Sequence, residues 1–270
     1  MTDSLRVATL NLWGQRGDWA ARRRVLAAGF ARLNADLVAF QEAIVTNGND
    51  QVRQIVGDDY HVVHQRERED DGQGVSIASR YPVHGRWEVD LSVTPRAAKF
   101  AVTTLVTQVD APWPFGPLLF ANHFPNWHMN FERERELQAV AAARSLEAAT
   151  AGRQRHVIVA GDMDADPEAA SIRFWTGRQS LDGLSVCYRD AWASAHPGER
   201  GGTYVPDNPL LDDWDWPFRR IDYILVRCGD HGGPTLAVSS CERIFDKPDD
   251  GVWASDHFGL TAELTPPPAG

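Results

Sequence analysis

Cysteine is scarce in this chain. Cys187, Cys228 and Cys241 lie far apart with no CxxC pair, so neither a disulfide framework nor a cysteine zinc site is indicated, and a reducing compartment fits. No hydrophobic run approaches membrane-spanning length. Nor does a basic segment followed by an apolar run open the chain, because Met1 to Asn11 passes straight into a strand-like pattern. These absences predict a cytoplasmic protein without stable membrane association. Positive charge is also short, with 27 Lys and Arg against 37 Asp and Glu and a formal net charge of −10. Such a surplus repels a polyanion at long range and argues against a tight nucleic-acid binder. It does not exclude a brief encounter, since a carboxylate cluster holding divalent cations cancels much of its own field. Without internal repeat or compositional break, 270 residues that are 43% hydrophobic predict one globular domain over residues 1–265 with a tail at 266–270, consistent with a monomer.

Aromatic residues are plentiful: ten Trp, eleven Phe and five Tyr serve a large core or the walls of a cleft. Leu5 to Leu12 alternates like a strand. Asp18 can cap a helix carrying Leu26, Phe30, Leu33 and Leu37 near helical spacing. Short apolar strands are expected at Leu37 to Phe40, His61 to His64, Gly74 to Ser79, Phe100 to Gln108, Leu118 to Asn122, Val157 to Ala160, Ile221 to Val226 and Phe258 to Leu264. Asn130 to Thr150 reads as a helix with a small-residue face at Ala139, Ala142, Ala143, Leu146 and Ala149. Strands alternating with a few helices give an α/β protein with more than one sheet.

Polar residues recur where these strands end: Asn11, Glu42, His123 and Asp162 each close or follow an apolar run. Strand ends gather into one rim, and a convergent carboxylate, imidazole and amide set is what an active site needs. Asp162, Asp164 and Asp166 alternate through a turn, which suits oxygen-seeking divalent cations, although Asp and Pro favour turns in any case. Asp256 and His257 stand beside one another before the last strand, and Asp222 begins another. A His oriented by a buried Asp is suited to taking a proton from water.

Thr9-Leu10-Asn11-Leu12-Trp13-Gly14, Phe40-Gln41-Glu42, Asn122-His123-Phe124, Gly161-Asp162-Met163-Asp164, Arg220-Ile221-Asp222-Tyr223 and Ser255-Asp256-His257 resemble the ordered motifs of the endonuclease/exonuclease/phosphatase superfamily. The resemblance runs from residue 9 to residue 257. It implies a four-layer α/β sandwich, two mixed β-sheets packed face to face with helices outside. It also implies hydrolysis of phosphate esters by in-line attack of water with a divalent metal, Mg2+ foremost and Mn2+ or Ca2+ as alternatives. By resemblance Glu42 is the principal metal ligand with Asn11 and Asp256 nearby; His257, oriented by Asp222, activates water, with Asp162 the competing base; and His123 binds the phosphoryl oxygens. One departure stands out, because the family places an Asn where this chain has Asp164. A carboxylate can only accept where an amide donates. Asp164 must then be protonated, be turned away or join Asp162 in binding a cation, and the crowding of three acids favours the cation.

Fold and catalytic set leave the substrate open. The loops Asn126 to Asn130, Arg173 to Arg178 and Gly198 to Arg220 hold Trp127, His128, Trp175, Trp214, Trp216, Arg219 and Arg220. Asn126, Trp175 and Arg220 are the expected substrate-binding residues, since aromatics and arginines near a phosphate site can stack bases and grip phosphates; loop aromatics packed on the core are the alternative. A phosphodiesterase acting on nucleic acid or nucleotides is the first expectation. The alternatives are a phosphatase or phosphodiesterase for a small metabolite or lipid headgroup, of the inositol-phosphate or sphingomyelin type, and a non-catalytic binding protein on the same fold.

Overall fold

The computed structural model describes residues 4–151, 155–211, 219–230 and 232–267. The segment containing Trp214 and Trp216 lies outside the described residues. In chain order come β1 (Leu5–Asn11), α1 (Trp19–Leu33), β2 (Leu37–Thr46), β3 (Asn49–Asp50), α2 (Gln51–Val56), β4 (His61–His64), β5 (Gln73–Ser79), β6 (Val83–Asp90), β7 (Thr103–Asp110) and β8 (Pro117–Phe124). They are followed by α3 (Glu132–Thr150), β9 (His156–Asp162), α4 (Ala170–Trp175), β10 (Tyr188–Asp190), α5 (Ala191–Ala195), β11 (Asp222–Arg227), β12 (Ala237–Ile244) and β13 (Gly259–Thr265). A seven-stranded sheet runs β12-β13-β1-β2-β5-β4, with β3 paired to β2, and a six-stranded sheet runs β10-β11-β9-β8-β7-β6. Both are mixed: β1 pairs in parallel with β2 and β8 with β9, while the other pairings are antiparallel.

Side-chain parity explains how the sheets meet. Leu5 and Val7 of β1, Leu37 and Ala39 of β2, Phe120 of β8, Ile158 and Ala160 of β9, and Ile224 and Val226 of β11 share one buried core between the sheets. The alternate residues Ala8, Leu10, Val38 and Phe40 face Leu26 and Phe30 of α1. Leu119, Ala121, Val157 and Val159 of the second sheet face Ala139, Ala142, Ala143 and Leu146 of α3. Four layers result, as the resemblance implies. Central strands buried on both faces read as continuous apolar runs, which is why β1, β2, β8, β9 and β11 are visible in the sequence.

Helix ends follow local rules. The Asp18 side chain accepts from Ala21 N at 3.0 Å and caps α1, while Asn34 at φ 54° closes it. Among the described residues, no helix is long and apolar enough to cross a membrane.

Candidate active site

Parity along each strand carries the apolar pattern of the inter-sheet core on to a polar end. Residues 5, 7 and 9 of β1 lead to Asn11, residues 158 and 160 of β9 lead to Asp162, and residues 226 and 224 of β11 lead back to Asp222. The antiparallel register puts Asp222 opposite Asp162, and all three are buried. Asn11 Nδ2 donates to Asp162 Oδ2 at 3.0 Å and to Glu42 Oε1 at 3.2 Å. One amide thus ties the two sheets together across the end of the core. Glu42 reaches this position through an irregularity in β2: the register with β5 shifts between Phe40 and Ala43, and Glu42 sits at φ 50°. A bulge of this kind turns a side chain that alternation would send elsewhere. Arg16 Nη1 donates to Glu42 Oε2 at 2.9 Å.

Ser255-Asp256-His257 enters from the opposite flank. Ser255 Oγ donates to Asn11 O at 2.6 Å and receives the backbone N–H of His257 at 3.2 Å, which pins the turn before β13 to the end of β1. His257 Nδ1 stands 3.0 Å from Asp222 Oδ2, and its Nε2 stands 3.8 Å from Asp162 Oδ2. Burial opposes charge on His257, but Asp222 and Asp162 outweigh it and hold its pKa well above the ordinary imidazole range. Burial and then Asp164 push Asp162 up. Burial raises Asp256 to about 6, with Glu42 adding to the rise. Asp164 is likewise raised by burial to about 6.

A family model described as the Endonuclease/Exonuclease/phosphatase family matches residues 8–257. The chain belongs to this family. No curated protein sequence is matched by the chain. Among solved structures, D. rerio TDP2 complexed with a single-strand DNA product is similar at 21% identity, over 97% of this chain and 99% of that one, with a TM-score of 0.76. A functionally unknown conserved protein from Enterococcus faecalis V583 is similar at 20% identity, over 97% and 100%, with a TM-score of 0.74. The human Nocturnin catalytic domain with bound sulfate is similar at 16%, over 98% and 94%, with a TM-score of 0.71. At these identities the likeness shows the fold.

Two arrangements in this family member have donor chemistry for a divalent cation. Asp162, Asp222 and His257 offer three ligand atoms within 4.8 Å of one another. Glu42, Asn11 and Asp256 form the other set. His257 Nδ1 and Asp222 Oδ2 satisfy each other at 3.0 Å, and the buried Asp162, Asp164 and Asp256 all have raised pKa values, as carboxylates crowded in a buried site do. The buried, unpartnered Asp164 Oδ2 fits a cation as well. Its backbone, at φ 50°, aims its own N–H at Asp162 Oδ1, 3.1 Å away.

His123 stands apart from that cluster, on the helix-facing side of β8. Thr104 Oγ1 lies 2.7 Å from its Nδ1, and the edge of Trp175 approaches its ring with centroids 5.7 Å apart. Burial lowers its pKa to about 3, so the ring is neutral. Gly161 lets β9 come this close: a Cβ there would lie 2.2 Å from His123 O, and its φ is 151°.

Two of the expected substrate-binding residues are buried. Trp175 ends α4 and is 1% exposed, packed among Phe174, Tyr188 and the small face of α3, so its indole forms the floor under His123. Arg220 is also buried, with Nη2 donating to Asp190 Oδ2 at 2.8 Å and its guanidinium over the Tyr223 ring. Local sequence could not show this, because both residues are turned inward by partners remote along the chain. Asn126 is buried with its carbonyl oxygen accepting from Gln138 Nε2 at 2.7 Å, while its Nδ2 has no partner. Sequence reasoning missed Thr104, Ser255 and the Gln41–Asn122 bridge between the sheets, where Gln41 Nε2 donates to Asn122 Oδ1 at 2.8 Å. Gln41 and Asn122 lie within matched motifs, but only their inward parity signals a structural role.

Proposed function

We propose that this protein is a divalent-metal-dependent phosphodiesterase acting on nucleic acid or nucleotides. The observation that carries the reading is the convergence of the buried Asn11, Asp162, Asp222, Asp256 and His257 with the half-buried Glu42 at one end of the inter-sheet core, with His257 hydrogen-bonded to Asp222 on one side and facing Asp162 on the other. Glu42, Asn11 and Asp256 would hold the metal, with Asp162 and Asp164 adjoining. When bound, the cation supplies positive charge that neutralises the phosphate and lowers the pKa of neighbouring acids. Asp222 orients the imidazole through Nδ1, leaving Nε2 to take the proton of an attacking water. Asp162 adjoins the same gap and acts with His257 as one unit.

His123 is neutral, so it binds a phosphoryl oxygen through a ring N–H rather than as a cation. A Thr104 Oγ–H donated to Nδ1 would place the ring proton on Nε2. Asn126, whose buried Nδ2 lacks a partner, would add a second donor, and such preorganised donors stabilise charge developing in the transition state. The nucleic-acid reading is supported by the likeness to a TDP2 complexed with a single-strand DNA product. Turnover of bis(p-nitrophenyl) phosphate and of p-nitrophenyl phosphate, with magnesium and with chelator, tests the proposal. Magnesium-dependent cleavage of the diester and nicking of plasmid DNA are expected, and Glu42→Gln should raise the magnesium needed for half-maximal rate while retaining the fold. Cleavage of the monoester alone would point instead to a phosphatase.

A further inference from the structure

Cysteines that the sequence scatters are brought together by the second sheet. β10 and β11 pair antiparallel, with Tyr188 opposite Arg227 and Asp190 opposite Leu225, which sets Cys187 opposite Cys228 one step beyond the end of β10. The backbone keeps that register, since Cys228 N donates to Cys187 O at 2.9 Å. Directly opposed residues of an antiparallel pair project from one face of the sheet. A hydrogen-bonded pair holds its Cα atoms about 5.5 Å apart, within the span of about 4.4–6.8 Å that a disulfide bridges. The two thiols are accordingly in hydrogen-bonding contact. The third cysteine, Cys241, is buried in the core between the sheets.

Solvent reaches the two thiols unequally. Cys187 is exposed and lines an open cavity of about 1070 Å³, with Thr176, Arg178 and Arg189 among its neighbours there. A Cβ at Gly177 would lie 3.1 Å from Cys187 Sγ, so this glycine leaves the thiol its room. Cys228 is buried, and burial, with the Cys187 thiol adding to it, raises Cys228 to about 11; Arg189 hydrogen-bonds it and opposes the rise. Cys228 therefore stays protonated and inert toward reagents from solvent, and the order of attack follows. The Cys187 thiolate attacks one sulfur of a low-molecular-weight disulfide, forming a mixed disulfide and releasing one thiolate. Cys228 then gives its proton to solvent and attacks Cys187 Sγ, which forms the Cys187–Cys228 bond and expels the second thiolate. Two electrons pass from the protein sulfurs to the reagent sulfurs. The second attack occurs between groups already in contact, and this proximity offsets the high pKa of Cys228. Opposed Cβ atoms stand about 4.5–5.5 Å apart in such a strand pair, against about 3.8 Å in a relaxed disulfide, and a bond closed over that mismatch is readily reduced.

We propose that Cys187 and Cys228 form a reversible oxidation site, in which the exposed thiol takes up a small-molecule disulfide and the buried one resolves it into a bond across the ends of β10 and β11. The test uses the full chain, folded and reduced, exposed to oxidised glutathione without denaturant, quenched in acid, then denatured and alkylated. The wild type should lose two of its three alkylatable thiols, and excess reduced glutathione should restore all three. Peptide mapping after cleavage before Asp230, which separates Cys228 from Cys241, should show Cys187 joined to Cys228. Cys228→Ser should stop at the mixed disulfide on Cys187, and Cys187→Ser should keep both remaining thiols. A wild type that keeps all three thiols, that accumulates the mixed disulfide as its end product, or that closes the bond only after denaturant is added would overturn the proposal. So would a map that joins Cys187 to Cys241, or a protein disulfide that still forms in Cys228→Ser.

Discussion

At the scale of single residues, Asp222 and His257 are proposed to act as one oriented base. Asp222→Asn and His257→Ala should each lower kcat by about 10²- to 10⁴-fold, and the double variant should be little worse than the poorer single one. A double loss equal to the product of the singles, measured in a full kinetic cycle, would show that they act independently. Asp164 offers a pH test. Its folded pKa of about 6 lies above that of an unfolded Asp, so ionisation destabilises the fold increasingly between about pH 4 and 6 and fully above that. Asp164→Asn keeps a side chain that tolerates φ 50°. In chelator the variant should unfold at higher denaturant than wild type at pH 8, and this advantage should vanish as pH falls toward 4. If Asp164 adjoins the cation, the same variant needs more magnesium for half-maximal rate; an unchanged titration would remove it from the metal set. The motifs announced these residues and Ser255, which holds Asn11, but Thr104, which meets His123, is an ordinary hydroxyl with no pattern of its own.

At the scale of elements, strand ends create the site and one glycine makes room for it. Gly161→Ala would place a Cβ 2.2 Å from the His123 carbonyl oxygen at a φ of 151°. It should cost about 3 kcal/mol or more in chemical denaturation and displace the imidazole; a stability within error of wild type would show that β8 and β9 part freely there. Element recognition failed where burial is one-sided. The outer strands β6 and β12 are partly exposed along their lengths, and β10 has only three residues, so none shows the apolar run of a central strand. The helix over Asn130 to Thr150 was legible because its small-residue face is long enough to show its period; it begins at Glu132.

At the scale of the whole molecule, a protein of net charge −10 concentrates five carboxylates, Glu42, Asp162, Asp164, Asp222 and Asp256, at one end of its core. A divalent cation bound there should stabilise the fold by mass action, on the order of 3 kcal/mol at a hundredfold excess over Kd. Because Asp256 and Asp164 take up protons near pH 6, protons and metal compete. The rise in Tm with magnesium should be large at pH 8 and shrink below pH 6, as read by calorimetry at several pH values. A rise that is independent of pH would place the cation away from these acids.

The sequence by itself determined the α/β class, the central strands and the order of the catalytic motifs. All of these depend on periodicity and on neighbours along the chain, which a strand's two-residue repeat translates directly into faces. Only the tertiary structure decided which polar residues work together. Asn11 meets Asp162 from 151 residues away, Trp175 and Arg220 turn inward against α3 and Asp190, and a bulge rather than alternation aims Glu42. These outcomes depend on packing between segments remote in sequence, where shape and charge complementarity act across the fold and leave no local trace.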